Sequence, residues 1–438
     1  MKKLIFFYFI FLTFSYAQLI PVPETGCYHA AFTGNNTHKE FVDLAKKEIA
    51  IEMFFTGWPS NKVPDFPLIK CNEIVSNGSV PHITWMPQVS GSPYPLDGII
   101  NGSYDNYIRG YAKQVKNFGK PLFIRLGHEF NGDWYTYGGA KNGGGTKNGF
   151  GDPNKPDGPE RFIAAYKRVH DLFKEEGVNN VVWIWCPNNG SSPNESWNVP
   201  ENYYPGDDYV DWIGFDGYNF GRTQSWSGWI EFFDIYSGLY QKFVSYNKPL
   251  MIAEFASVEI GGSKSEWIRK AYSIYLKYSF PKIKAVTWFH IRKYEGTVDT
   301  DWRINSSELS LKAYQDAIAD PYYLPSIINT NIEEEKILNK NFILEQNYPN
   351  PFNPSTTICF SLPEASFVTL KVYDILGREV ATLINEYKEA GNYDVQFSIN
   401  NYQLSNRTIT SNEYSSGVFI YTLRTNKFFE AKKMILLK

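Results

Sequence analysis

The chain has 438 residues, of which 43% are hydrophobic, 20% charged and 17% aromatic. That apolar content excludes an intrinsically disordered chain, and the length exceeds what one compact core comfortably holds, so two domains are expected. The formal net charge of −3 leaves no basic surplus for nucleic acid, which is not expected as a partner. The 12 Trp and 31 Tyr are many for a core alone. Their flat faces suit sugar rings, with a thick aromatic core as the plainer alternative.

The N-terminus reads as an export signal over residues 1–17. Lys2 and Lys3 precede the apolar run Leu4 to Phe14, and Ser15-Tyr16-Ala17 offers small residues before a cut at Gln18. The run is too short for a stable membrane anchor. The four cysteines, Cys27, Cys71, Cys186 and Cys359, show no CxxC pairing and no histidine at metal-ligand spacing. If an oxidising compartment joins any of them, Cys27 with Cys71 is the pair to test. Otherwise they are small buried residues.

From residue 18 to 320, apolar runs alternate with amphipathic stretches. Expected strands are 26–32, 51–56, 80–86, 122–126, 181–186, 210–215, 250–254 and 284–289. Most are β-rich and apolar on both faces, as buried parallel strands are. Helical patterns fall between them at 106–118, 160–176, 229–246 and 265–278, with no convincing long helix between the fifth and sixth strands. Eight βα units predict a (β/α)8 TIM barrel. A doubly wound sheet is the competitor, weakened because no glycine-rich phosphate loop follows the first strand. The segment 138–159, rich in Gly, Asn and Lys, is either a mobile loop at the cleft rim or a solvated insertion. Its Asp152, Asn154 and Asp157 fit no standard calcium loop, and neither metal nor cofactor is expected.

Residues 321–341 read as a linker, with Pro325 and Glu333-Glu334-Glu335. Residues 342–438 then predict a small all-β, immunoglobulin-like sandwich, with strands at 356–362, 368–373, 393–399 and 418–424. Within this tail, Asn347-Tyr348-Pro349-Asn350-Pro351-Phe352-Asn353-Pro354 is followed by Val372-Tyr373-Asp374-Ile375-Leu376-Gly377-Arg378-Glu379-Val380. Ser416-Gly417-Val418-Phe419-Ile420-Tyr421 and Lys433-Met434-Ile435-Leu436-Leu437-Lys438 close it. Together they resemble the C-terminal sorting domain of the bacterial type IX secretion system, with 405–414 as a loop insertion. That resemblance implies partnership with the type IX machinery and passage across an outer membrane. Release or surface attachment would follow, often with removal of the tail.

Active residues of a barrel lie at the C-terminal ends of its strands. The fourth strand leads from Arg125 into His128-Glu129-Phe130-Asn131-Gly132-Asp133-Trp134-Tyr135, and the seventh runs Pro249-Leu250-Met251-Ile252-Ala253 into Glu254. An apolar strand ending in a lone carboxylate is unusual because an unpaired buried charge is costly. An ion pair inside the barrel mouth is the structural explanation. Two such carboxylates facing one another suit glycoside hydrolysis, one as proton donor and the other as nucleophile or base.

These two segments resemble the acid/base and nucleophile segments of glycoside hydrolase family 26, a group of β-mannanases and relatives. Val182-Trp183-Ile184-Trp185-Cys186-Pro187-Asn188 and the stretch from Tyr204 to Asn219 resemble its fifth and sixth strands. The resemblance implies Glu129 as general acid and then base, with Glu254 as nucleophile of a retaining double displacement. It implies that His128 positions substrate or nucleophile, that Arg125 holds local geometry and charge, and that Tyr218 hydrogen-bonds Glu254. Trp134 and Trp288 would stack on sugars, and Asp216 would support the site from behind. Phe289 stands where many of the mannanases carry a charged residue, and Asp301-Trp302-Arg303-Ile304-Asn305-Ser306-Ser307 departs from them too. The substrate expectation is therefore mannan or glucomannan first, mixed-linkage β-glucan next and xylan third. A monomer, secreted or attached at the cell surface, is expected. A non-catalytic glycan-binding protein or surface adhesin is the reading from another class.

Overall fold

The computed structural model describes residues 19–327, 342–399 and 416–437. The export signal, most of the expected linker and the 405–414 insertion lie outside these residues. The chain divides into two compact units, Met1–Asn329 and Thr330–Lys438.

In the first unit, strands β1 (Cys27–Phe32), β2 (Ile51–Gly57), β3 (Val80–Met86), β4 (Leu122–Leu126), β5 (Val181–Trp185), β6 (Trp212–Asn219), β7 (Leu250–Ser257) and β8 (Ile283–Phe289) pair in parallel in that order. β8 pairs with β1, so the sheet closes into a barrel. Helices α1 (His38–Ala45), α2 (Leu68–Ser76), α3 (Asp97–Ile100), α4 (Asp105–Phe118), α5 (Asp157–Glu175), α6 (Phe232–Phe243), α7 (Lys264–Lys270, continuing as a wider π turn over Ala271–Ser279) and α8 (Glu308–Ile318) connect them. This is the expected (β/α)8 TIM barrel. Only short 3₁₀ turns fill the gap between β5 and β6. A hairpin of β9 (Arg292–Glu295) and β10 (Val298–Asp301) follows β8.

Alternation along each strand separates two cores. Phe123, Val182, Ile184, Trp212, Met251 and Ala285 pack inside the barrel. Residues of opposite parity, such as Ile124, Trp183, Ile252 and Val286, join the helices in the outer core. The aromatic excess is largely spent there, on stacks such as Trp85 against Tyr111 at 4.2 Å between centroids.

Two expectations need correction. β11 (Tyr323–Leu324) pairs with β1, and Tyr323 is buried, so the residues assigned to the start of the linker complete the barrel unit. Cys27 and Cys71 are both free thiols, each buried. Burial pushes the Cys71 thiol up to about 12, against the opposing charge of Lys70.

The second unit has a three-stranded and a four-stranded antiparallel sheet. β12 (Ile343–Leu344), β13 (Ser355–Leu362) and β16 (Gly391–Ser398) form one. β15 (Glu379–Lys388), β14 (Ser366–Asp374), β17 (Gly417–Arg424) and β18 (Phe429–Leu436) form the other. Ile358, Phe360 and Phe397 from the first sheet and Leu370, Val372, Tyr421 and Leu423 from the second share one core, making the expected sandwich. The sequence reading misses β12, β15 and β18. β12 is only two residues long. β15 and β18 carry Glu and Lys among their apolar residues and are the two edges of their sheet, where charge is common.

Candidate active site

Arg125 organises the mouth of the barrel. It points inward from β4 and is wholly buried. Its Nη1 donates to both Asp216 oxygens at 2.7 and 2.8 Å. Its Nε and Nη2 donate to Thr84 Oγ1 at 3.0 and 2.6 Å, and Nη2 also donates to Glu254 Oε1. One guanidinium thus bridges β3, β4, β6 and β7, and the ionic explanation for the lone strand carboxylate holds. A buried cation needs this many partners to offset its lost hydration.

Glu254 does not end its strand, since β7 continues to Ser257. Met251 and Ala253 both face the barrel interior, so strict alternation would turn Glu254 outward. The ladder between β6 and β7 slips between Phe215 and Asp216, pairing Phe215 with Ile252 and Asp216 with Glu254. That bulge re-aims Glu254 into the barrel. Its other oxygen accepts from Tyr218 Oη, as expected for Tyr218.

Glu129 follows β4 with φ of 54°, in the left-handed region that side chains seldom adopt. Its N–H donates to Cys186 O at 2.8 Å, tying it to the end of β5. Glu129 is 8% exposed and Glu254 4%. Burial and then the charge of Glu254 push the Glu129 carboxyl up to about 7; the Trp134 hydrogen bond and the Arg125 and Lys293 charges oppose this. Trp134 Nε1 donates to Glu129 Oε2 at 2.8 Å while the indole remains 48% exposed. Gly132 makes this possible, because a Cβ there would meet the indole at 2.3 Å.

His128 is buried, with Nε2 3.2 Å from Tyr135 Oη and Nδ1 3.2 Å from Tyr137 Oη. Its Nε2 lies 3.9 Å from Glu254 Oε1. Burial and the Arg125 charge hold its imidazole well below the ordinary range, so it is neutral. His128, Asp216 and Glu254 are close enough to share an ion, but Arg125 already supplies the positive charge between the two carboxylates.

Trp288 is the expectation that fails. It is 0% exposed, its Nε1 donates to Trp302 O at 2.9 Å, and its ring packs on Phe255 and Tyr314. No face is left for a sugar. On β8 the odd positions face inward, so Trp288 points to the helices and Phe289 takes the mouth, beside Phe32 at 4.9 Å and Tyr218 at 5.4 Å.

The structure therefore brings together Arg125, His128, Glu129, Trp134, Asp216, Tyr218 and Glu254, and removes Trp288. Sequence reasoning noted Phe289 only as a departure from the mannanases, and it missed Thr84, Tyr137 and the supporting role of Trp302, whose ring packs 5.1 Å from Tyr218. An inward-facing Thr in β3 was the one available signal for Thr84. The loop 138–159 is neither free nor simply solvated. The Asp157 carboxylate accepts from Thr146 Oγ1 and the amides of Gly149 and Phe150, and Arg161 donates to the carbonyls of Asn142 and Gly149.

A closed barrel with two buried carboxylates at its mouth, one clamped by an arginine and the other desolvated, is an arrangement that suits glycoside hydrolysis. The profile of glycosyl hydrolase family 26 matches residues 92–319, and that of the secretion system C-terminal sorting domain matches 346–437. The chain belongs to glycoside hydrolase family 26, and its tail matches the secretion system C-terminal sorting domain. It is 38% identical over 286 residues to Endoglucanase H of Acetivibrio thermocellus, a match covering 64% of this chain but only 28% of that longer protein. It is 22% identical over 290 residues to a mannan endo-1,4-beta-mannosidase of Bacillus subtilis, covering 62% of this chain and 68% of that one. A Cellulomonas fimi endo-beta-1,4-mannanase double mutant shares the fold at 16% identity, with a TM-score of 0.50 over 94% of both chains.

Proposed function

We propose that the barrel is a retaining endo-β-glycanase that cuts a β-1,4-linked polysaccharide by double displacement. The observation that carries this reading is the contrast between the two carboxyls: Glu254 is held by Arg125 and Tyr218, whereas Glu129 is desolvated and pushed up to about 7. Glu129 donates its proton to the glycosidic oxygen, the C1–O bond breaks, and a Glu254 oxygen bonds to C1. With Glu254 esterified, its charge no longer opposes ionisation of Glu129. Glu129 then takes a proton from water, which attacks C1 and frees Glu254. Neutral His128 and Tyr218 orient Glu254, Arg125 and Asp216 hold it from behind, and the exposed face of Trp134 carries a sugar beside the acid.

Glucan, including mixed-linkage β-glucan, is the preferred substrate, because the 38% relative is an endoglucanase. Mannan is the second reading, favoured by mannosidase relatives at 22–30% identity. The enzyme acts outside the cell, released or attached at the surface through its sorting domain. The test is digestion of lichenan, mannan, glucomannan and xylan by the wild type and Glu254→Ala, with product identification. Glu254→Ala should lose turnover, and azide should restore it with a product of inverted configuration. Full residual activity removes Glu254 from the mechanism.

A further inference from the structure

Of the 12 Trp, two are exposed: Trp134 at 48%, occupied with Glu129, and Trp226 at 71%. Trp226 lies on the segment between β6 and α6, at the barrel rim where the site opens. This segment is pinned. Ser227 Oγ donates to Gly221 O at 2.9 Å, the Ile230 amide donates to Asn219 Oδ1 at 3.0 Å, and Gln224 Nε2 donates to Glu295 O at 3.3 Å on the β9–β10 hairpin. The exposed ring is thus held in place by the fold rather than carried on a free tip.

Trp226 also ends a line of rings that starts at the reaction centre. Tyr218, which donates to Glu254, has its centroid 6.0 Å from Phe220, and Phe220 lies 5.0 Å from Trp226. Phe220 is backed edge-on by Trp302 at 4.9 Å. The hairpin joined to this segment reaches over the mouth as well. Lys293 Nζ sits 5.1 Å above the Phe289 ring and its charge is felt by Glu129, while Tyr294 is 71% exposed. Trp134 follows β4, and β8, which carries the hairpin, stands across the eight-stranded barrel from it.

We infer that Trp226 is a stacking platform for a sugar unit remote from the bond being cut. This rests on the hydrolase reading above and adds a binding position to it. A single flat indole, wet on its outer face and continuous with the aromatic wall beside Glu254, suits the apolar face of a pyranose. A protein-docking surface would instead present a broad contiguous apolar patch. A chain long enough to reach Trp226 gains that contact, and a short one does not.

The test compares kcat/KM for short and long members of one β-1,4-oligosaccharide series, gluco- or manno-, whichever the wild type cleaves. Trp226→Ala should lower the long-to-short ratio by about tenfold, as loss of an anchoring aromatic does. Trp226→Phe should restore part of it. Equal loss on short and long members, or no change in the ratio, overturns the proposal. Binding is read separately in Glu254→Ala: titration with the long oligosaccharide should change tryptophan fluorescence, and adding Trp226→Phe should diminish that change. An undiminished change counts against Trp226 even if hydrolysis is never seen. Failure of the wild type to cut any member, with the fluorescence difference intact, would instead fault the hydrolase reading alone.

Discussion

Arg125 donates to Asp216 and Glu254 at once, so a single wholly buried cation serves two buried carboxylates. Removing it would leave both anions with no counter-charge in a medium that solvates them poorly. Arg125→Ala should therefore destabilise the fold by about 3–5 kcal/mol, the cost typical of breaking a buried pair from one side. Arg125→Lys should recover little, because an ammonium cannot reproduce the fork that also reaches Thr84 at 2.6 Å. Denaturant unfolding of the three proteins measures this. Equal stability for the lysine and arginine forms would refute the bridging role.

The pH dependence of activity follows from Glu129. The free enzyme must hold a proton on this carboxyl, which burial and the Glu254 charge push up to about 7. The ratio kcat/KM should thus fall as pH rises past about 7, since the acid is then ionised before substrate arrives. A pH profile on the preferred polysaccharide checks it. A basic limb set near the ordinary glutamate range would place the proton donor elsewhere.

Trp134 tunes the same group. Its indole N–H donates to Glu129 Oε2 at 2.8 Å and so favours the charged form. Trp134→Phe keeps a flat ring for the sugar but removes this donor. The basic limb should move to higher pH, by up to about one pH unit for a hydrogen bond to a charged group. A limb that stays put, with only KM altered, would reduce Trp134 to a stacking surface.

Much of this was legible in the chain, for identifiable reasons. Parallel strands buried on both faces leave continuous apolar runs, so all eight barrel strands could be read within a few residues of their bounds. Glu129 and Glu254 stood out because charge is rare at the end of such runs. What strands lose in reading is direction. Alternation decides that Trp288 faces the helices and Phe289 the mouth, and nothing in the run Val286-Thr287-Trp288-Phe289 announces which parity is inward. A slip in the β6–β7 ladder then breaks alternation at Glu254 itself, and a bulge has no side-chain signature there. Thr84 was hidden for a similar reason: its importance comes only from lying opposite Arg125 across two strands.

The raised Glu129 carboxyl also bears on stability. Its proton is held more tightly in the folded chain, at about 7, than at the ordinary value of 4.5. The stability this contributes is fully present below 4.5 and is lost as pH rises through 7, because folding must then exclude a charged form from a desolvated site. Glu129→Gln cannot ionise, so it escapes that loss. Its unfolding free energy relative to wild type should rise between pH 5 and pH 8, by no more than about 3 kcal/mol, with the melting temperature moving in the same direction. Thermal unfolding of both proteins across this range decides the matter. A difference that is constant with pH would mean that Glu129 titrates alike in the folded and unfolded chains, and the acid assigned to the first step would lose its physical basis.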